Sequence, residues 1–313
     1  MGGLMLLSRV AEHLYWGSRY LERAEDTARV VRSFTEVLLD LPAGVATSWE
    51  PLLAIVGSRD AFDAHHAAVT ERDIVRFLVA DSGNPGSVVS SIAQARENLR
   101  TTREVLPREG WQAVNDLYLF SGREPEAGVD RRSRSRFLSR VIDECRQLDG
   151  VLSGCMLRDE AYSMWRLGEA IERADMTTRV LGVRAAALLS ATGSAADYDD
   201  VQWMGVLRSV SGLQMYQRST RGPIDGAEVV RFLVLEPDFP RSVKACVGRM
   251  REALSHLPRP HLTTSALDEL DALVASVPAV ADDGALLDDA MDEVQVALGQ
   301  LHDVVYATFV AAE

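Results

Sequence analysis

The sequence predicts an all-α protein, a helical bundle built from two pseudo-symmetric tandem repeats of roughly 150 residues. Apolar residues recur at helical spacing, and residues that cap helices precede several of these segments. Alternating β-branched runs, which would indicate strands, are absent from the sequence. Blocks of the first half return in the second half in the same order, which indicates a duplication. We therefore expect a single domain over residues 1–313, with internal repeats at 5–150 and 151–313.

The first half contains six predicted helices. The first has a long helical period and a stop signal, Leu-Pro-Ala-Gly, at residues 41–44. Thr70 and Asp73 form a capping pair before a short apolar helix. The next helix is expected to begin with Asn84 as its cap and Pro85 in its first turn. The six helices are predicted near residues 4–40, 49–56, 70–79, 84–107, 111–120 and 134–152.

The second half repeats this order. Residues 230–234 copy residues 75–79 at an offset of 155, and Asp225 supplies the cap of that helix. In the same register, Pro-Arg-Ser at 240–242 corresponds to Pro-Gly-Ser at 85–87. Two more helices are predicted near residues 264–277 and 284–311. The nearly constant offset is typical of a tandem repeat.

The composition fits a globular protein and argues against several classes. Of the 313 residues, 47% are hydrophobic and 25% are charged, which provides ample material for a core. The net charge of −13 argues against a broad nucleic-acid surface and against anionic membranes, since both require clustered Lys and Arg. No run of about 18 apolar residues exists, so no membrane span is expected.

The N-terminal residues and the cysteines indicate the cellular compartment of the protein. The first residues contain too short an apolar run for a signal peptide. Cys145, Cys155 and Cys246 are odd in number and lack metal-type spacing, which predicts reduced, packed thiols. We expect a cytoplasmic protein without a metal site or a cofactor.

A charged motif occurs once in each half. Glu22 and Arg23 recur 150 positions later as Glu172 and Arg173. Both copies lie among apolar and aromatic residues, where an unpaired buried charge costs several kcal/mol. Two pseudo-symmetric halves are expected to pack these helices against each other, with both Glu-Arg pairs near the pseudo-twofold axis.

These charged residues form the candidate functional site. Arg holds carboxylates and phosphates through its planar fork, and a buried Glu can act as a general base. The segment 240–242 adds a helix N-terminus that favours an anion, although ordinary capping is the simpler interpretation there. The candidate catalytic residues are Glu22 and Glu172. The candidate substrate-binding residues are Arg19, Arg23, Arg29, Arg173, Asp175, Arg179, Arg241, Ser242, Tyr15 and Trp165.

Other interpretations of the motif stay open. The charges could form a buried ion-pair network without a ligand, because ion pairs that satisfy one another tolerate burial. Tyr15 and Trp165 could be ordinary core residues, since aromatics at helical spacing usually are. The protein could accordingly be a binding component, an enzyme with a Glu base and Arg clamps, or a purely structural scaffold.

Several segments, taken together, carry a family resemblance. They are Leu-Leu-Ser-Arg-Val-Ala-Glu-His-Leu-Tyr-Trp at 6–16, Tyr-Leu-Glu-Arg-Ala-Glu at 20–25, Ala-Arg-Glu-Asn-Leu-Arg at 95–100, Glu-Arg-Ala-Asp-Met-Thr-Thr-Arg at 172–179, Gln-Trp at 202–203, Phe-Leu at 232–233 and Asp-Phe-Pro-Arg-Ser-Val at 238–243. In this combination the chain resembles the bacterial alpha-E family, a helical domain named for its Glu-Arg motif. One departure is Gly86, where the family often has a polar residue such as Asn or Ser after the first-half Pro.

The resemblance implies a function that the residues alone do not. Alpha-E proteins are neighbours of a circularly permuted ATP-grasp enzyme, to which they are sometimes fused, and of a transglutaminase-like protein. The chain is thereby expected to be the helical component of an ATP-grasp-associated peptide or amide-ligation system. It would bind the ATP-grasp partner, and an anionic or amino-acid-type substrate at the paired Glu-Arg cleft.

Overall fold

The computed structural model describes residues 8–40, 48–66, 69–185 and 199–311, and no strand occurs within these ranges. Fourteen helices are present in this part of the chain. They are α1 Ser8–Asp40, α2 Glu50–Ile55, α3 Arg59–Asp63, α4 Glu71–Val79, α5 Val88–Arg100, α6 Arg108–Arg123, α7 Arg134–Cys155, α8 Glu160–Val180, α9 Asp199–Ser209, α10 Leu213–Thr220, α11 Gly226–Leu235, α12 Val243–Ser255, α13 Thr264–Ser276 and α14 Gly284–Phe309. The predicted all-α class is confirmed.

The long helices α1 and α8 lie side by side at the centre of the molecule. On its other faces α1 packs against α5, α7 and α9, while α8 packs against α12 and α14. In each outer layer the helices pack in sequence order, α5–α6–α7 on one side and α12–α13–α14 on the other. Because α1 and α8 are covered on several faces, their charged residues are buried as well as their apolar ones. The tandem duplication itself stays a prediction.

The helix starts follow the capping chemistry of the sequence. The Thr70 hydroxyl accepts a hydrogen bond from the backbone N–H of Asp73 at 3.2 Å, and Asp225 caps α11 in the same way at 3.0 Å. Both predicted caps are confirmed. The predicted stop at residues 41–44 lies outside the described residues.

The prediction that Asn84 caps the next helix is wrong. The cap of α5 is Ser87, whose hydroxyl accepts from the N–H of Ser90 at 3.2 Å. The side chain of Asn84 instead donates to the carbonyl of Phe77 and accepts from the N–H of Gly86, both at 2.9 Å. It fixes the turn before the helix, so the helix begins three residues later than expected.

The cysteines are only partly as predicted. Cys145 and Cys246 are buried and unpaired, and burial raises the pKa of both thiols. Cys155 is exposed, which corrects the expectation that all three thiols are packed. It is the last residue of α7.

Candidate functional site

The site begins where α1 and α8 approach most closely. A Cβ added at Gly168 would lie closer than 3.0 Å to the Ser18 hydroxyl and to the carbonyl oxygen of Tyr15. Ser18 and Gly168 are equivalent positions at the 150-residue offset between the two charged motifs. This contact places the turn of α1 that carries Glu22 beside the turn of α8 that carries Glu172.

The two Glu-Arg motifs exchange their ion pairs across this contact. Arg173 donates to both carboxylate oxygens of Glu22, with Nε and Nη2 each at 2.8 Å. In return, Nε of Arg23 donates to Glu172 at 2.6 Å. Nε of Arg19 donates to the second oxygen of Glu172 at 2.7 Å. Both carboxylates are buried, and the structure thus brings the two motifs together as the sequence predicted.

These pairs decide the protonation of the two glutamates. Burial alone would raise the pKa of Glu22, but the charges of Arg173 and Arg241 outweigh it and hold the pKa well below its ordinary value. The pKa of Glu172 is also lowered, because Arg19 and Arg23 outweigh the effect of burial. Both side chains are therefore ionised at neutral pH and weakly basic.

At Glu22, the ion-pair network includes residues that lie outside the Glu-Arg motif. Nη1 of Arg241 lies 2.9 Å from Glu22 and donates to Asp26 at 2.5 Å, while its Nη2 donates to Glu25 at 3.2 Å. Arg29, whose side chain is 2% exposed, donates to Glu25 and has no hydrogen-bond partner at Nε. The segment before α12 thus adds a second guanidinium to Glu22.

Asp26 is the carboxyl of this cluster with the most perturbed acidity. Its side chain is buried and Oδ2 has no hydrogen-bond partner. Burial, with the negative charges of Glu22 and Glu25 adding to it, raises the pKa of Asp26 to about 8 despite the contact with Arg241. This carboxyl is consequently protonated over most of the neutral range.

A cleft of about 270 Å³ opens onto this end of the network. Four of the side chains that line it are arginines, and the lining comes from α1, α7, α8 and the loops before α10 and α12. The lining residues are Glu25, Arg29, Arg146, Asp149, Arg173, Val210, Ser211, Phe239, Pro240 and Arg241. Arg29, Arg173 and Arg241 were predicted as binding residues, and the structure places all three here.

Arg146 and Ser211 are among the lining residues that the sequence reasoning missed. Arg146 is half-exposed on α7 and its Nη2 donates to the Ser211 hydroxyl at 3.3 Å. Ser211 also accepts from Arg29, and its φ of 54° is in the left-handed region that a non-glycine residue rarely adopts. The dipeptide Ser211-Gly212 after α9 is a turn signal and was the available clue.

The Glu172 end of the network contains two more of the predicted residues, Tyr15 and Arg19. The Tyr15 hydroxyl lies 2.7 Å from Nδ1 of His302 on α14, and Arg19 donates to it at 3.3 Å. Burial raises the pKa of Tyr15 to about 12, so the phenol stays neutral. Trp165 is a buried core residue beside this end of α8 and forms no part of the cleft lining.

The remaining predicted residues lie apart from the cleft. Asp175 accepts from Arg179 at 2.8 Å in an i,i+4 pair near the loop that contains Gly57. Ser242 caps α12 by accepting from the N–H of Ala245 at 3.0 Å. Among the described residues, no group of three or more His, Cys, Asp or Glu side chains is placed to hold a metal ion. None of the described helices is long and apolar enough to cross a membrane.

Comparisons with known proteins also identify the Glu-Arg motif. The Alpha-E sequence profile, described as a predicted alpha-helical domain with a conserved ER motif, matches residues 6–310. Uncharacterized proteins of Mycobacterium bovis and of two Mycobacterium tuberculosis strains are each 23% identical over 274 residues. These alignments cover 80% of the chain but 30% of each relative, so the chain spans about 30% of their length. No solved structure matches the chain.

Proposed function

Because the chain belongs to the Alpha-E family, we propose that it is the anion-binding helical component of an ATP-grasp-associated peptide or amide-ligation system. Its partners in this proposal are a circularly permuted ATP-grasp protein and a transglutaminase-like protein. Its ligand is the carboxylate or phosphate group of an amino-acid-type substrate, bound in the cleft beside Glu22. The mycobacterial relatives carry most of their length outside the matched segment, which leaves room for other domains in those proteins.

The guanidinium groups of the cleft carry the binding part of this proposal. Its four arginines contact five carboxyl groups, which are those of Glu22, Glu25, Asp26, Asp143 and Glu169. Asp149, at the edge, is already paired with Arg166 at 3.2 Å. With Asp26 protonated, four positive charges face four negative ones, so hydrogen-bond donors rather than an excess of charge favour an anion here. Nε of Arg29 has no hydrogen-bond partner among the described residues, and a bound anion would accept from it.

The lowered pKa values and the hydrogen bonds of Glu22 and Glu172 favour a binding role over a catalytic one. A general base needs a pKa near the working pH and a free lone pair toward the substrate. Glu22 and Glu172 each accept from two guanidinium groups, and the pKa of each is lowered. An enzyme that uses either as a base is therefore the weaker candidate. A scaffold without a ligand is the other alternative, and a binding measurement separates it from the proposal.

The binding test is a calorimetric titration of the protein with inorganic phosphate and with succinate at low ionic strength. Arg146→Ala removes a half-exposed guanidinium of the cleft, and Arg136→Ala removes an exposed one elsewhere on α7 as a matched control. A charge-assisted hydrogen bond contributes about 1.5–3 kcal/mol, and its partial exposure reduces this to an expected three- to tenfold loss of affinity. Equal affinities of the two variants would contradict the cleft assignment.

The partner part is tested separately by gel filtration of the chain with a circularly permuted ATP-grasp protein. The chain carries a net charge of −13, which suits a partner with a basic face, mainly by steering the encounter. A complex at micromolar concentration that weakens as salt is added supports the association. If no complex forms at that concentration, the proposed association with the ATP-grasp protein is wrong, and only the proposed anion binding remains.

A further inference from the structure

A second cavity, of about 400 Å³, lies between the start of α8 and the end of α12. Its lining includes the guanidinium groups of Arg158, Arg166 and Arg249 and the carboxylate of Glu252. Arg166 is neutralised by acids outside the lining, so two positive charges, those of Arg158 and Arg249, face one negative charge in a protein whose net charge is −13. Such a local reversal of charge is typical of a site for an anion.

Of the arginines that line this cavity, Arg249 has the fewest partners among the described residues. Among the described residues it takes part in no ion pair, and its Nη1 is shielded from solvent without any hydrogen-bond partner. Burial lowers the pKa of Arg249, and the positive charges of Arg173 and Arg166 act in the same direction. A shielded guanidinium nitrogen without an acceptor is costly, since a polar group removed from water loses its hydrogen bonds.

The neighbouring arginines differ in how far they are already satisfied. Arg166 pairs with Asp149 at 3.2 Å and with Glu169 at 2.5 Å. Arg158 lies 4.0 Å above the centre of the Tyr162 ring and donates to a backbone carbonyl. Arg158 and Arg249 therefore supply the donors for a ligand, while the charge of Arg166 is already balanced.

We propose that this cavity, here called the α8–α12 pocket, binds the phosphate group of a small phosphorylated molecule between Arg158 and Arg249. A phosphate monoester carries about two negative charges above its second pKa near 6, one for each of the guanidinium groups of Arg158 and Arg249. A carboxylate supplies one. The cavity volume falls within the range of about 300–1,000 Å³ that is typical of small-molecule pockets, so it accepts an organic group besides the phosphate. Tyr162 and Ala253 provide the less polar wall for that group.

The test is a calorimetric titration at pH 7.5 and low ionic strength with phenyl phosphate and with benzoate, which share a ring and differ in charge. The proposal expects phenyl phosphate to bind at least about tenfold more tightly than benzoate. Arg249→Met keeps the length of the side chain and removes the charge, and a lost charge-assisted contact is expected to weaken phenyl phosphate binding about tenfold or more.

The matched control is Arg251→Met on the same helix. Arg251 is about half-exposed, pairs with Asp268 at 2.8 Å and does not line the pocket, so its variant should bind phenyl phosphate like the wild type. Phenyl phosphate that binds in the cleft beside Glu22 is recognised separately, because Arg146→Ala should weaken that event and Arg249→Met should not. Should Arg249→Met fail to fold by circular dichroism, Arg158→Met takes its place.

Three results would overturn the proposal. They are equal phenyl phosphate affinities of the Arg249 and Arg251 variants, equal affinities of the wild type for the two probes, and a loss of binding in the Arg146 variant alone. The last result would assign the phosphate to the cleft and would support the proposed function. The first two leave the cleft untouched, so failure of either site can be recognised independently.

Discussion

Replacing Gly168 by alanine tests whether the close contact of α1 and α8 holds the two Glu-Arg motifs together. The new Cβ would lie closer than 3.0 Å to the backbone oxygen of Tyr15, and 3.2 Å from the carbonyl carbon. Because backbone cannot rotate away as a side chain does, the helices have to separate. The four hydrogen bonds that join the motifs, now 2.6–2.8 Å long, would then lengthen together.

The expected cost follows from three contributions. Overpacking a core typically costs about 1–3 kcal/mol. The loss of one charge-assisted hydrogen bond adds about 1.5–3 kcal/mol to this cost. The higher helix propensity of alanine offsets about 1 kcal/mol. We therefore expect Gly168→Ala to lower the free energy of unfolding by about 2–4 kcal/mol.

Urea unfolding followed by circular dichroism measures this change, and Gly248→Ala is the matched control. Gly248 lies inside α12, and a Cβ there would meet nothing within 4 Å. Its alanine variant should gain about 0.5–1 kcal/mol from helix propensity. If Gly168→Ala proves as stable as the wild type, the close contact does not position the motifs and the reasoning above is wrong.

Two further predictions concern the carboxyl groups of α1. Burial raises the pKa of Asp26 to about 8 in the folded protein, against about 3.9 when unfolded. The folded state thus keeps a proton that the unfolded state loses, and this contribution to stability is present below pH 4 and is lost as pH rises toward 8. Asp26→Asn should therefore gain stability relative to the wild type between pH 5 and pH 9, and a constant difference would show that Asp26 is ionised throughout. Glu22→Gln should cost about 3–5 kcal/mol by leaving buried arginines unpaired, whereas Glu36→Gln, 41% exposed, should change stability by at most about 1 kcal/mol. Comparable losses in these two variants would contradict the assigned burial.

The meeting of the two motifs was predictable because it depends on a repeated pattern. Equivalent helices of two similar halves share one packing surface, and charges in apolar surroundings need partners. Glu22 and Arg173 satisfy each other across that surface, as do Glu172 and Arg23. Sequence spacing alone could therefore place these side chains near one another.

The cleft was less predictable because its lining comes from segments far apart in the chain. Arg146 belongs to α7, and nothing in its local pattern distinguishes it from the other exposed arginines of that helix. Ser211 acquires its role from a left-handed turn that brings its hydroxyl to Arg29 and Arg146. The α5 cap was missed for a different reason, since the side chain of Asn84 is occupied by hydrogen bonds within the turn that precedes the helix.

The two ends of the network differ, and the difference favours one ligand site over a purely stabilising core. Glu172 receives two guanidinium groups from α1 itself, those of Arg19 and Arg23. Glu22 receives one from α8 and a second from Arg241, ahead of α12. At the 155-residue offset, Arg241 corresponds to Gly86, which has no side chain to contribute.

Arg241 also draws two further acids into the network and lies in the wall of the cleft. It contacts Glu25 and Asp26, neither of which is needed to balance Glu22. A network that served stability alone would gain nothing from a third buried carboxyl with a raised pKa, because replacing buried charges by apolar groups is often stabilising. Arg241, which aligns with Gly86 at the 155-residue offset, is thus the sequence difference that extends the reciprocal ion-pair core into the wall of the cleft.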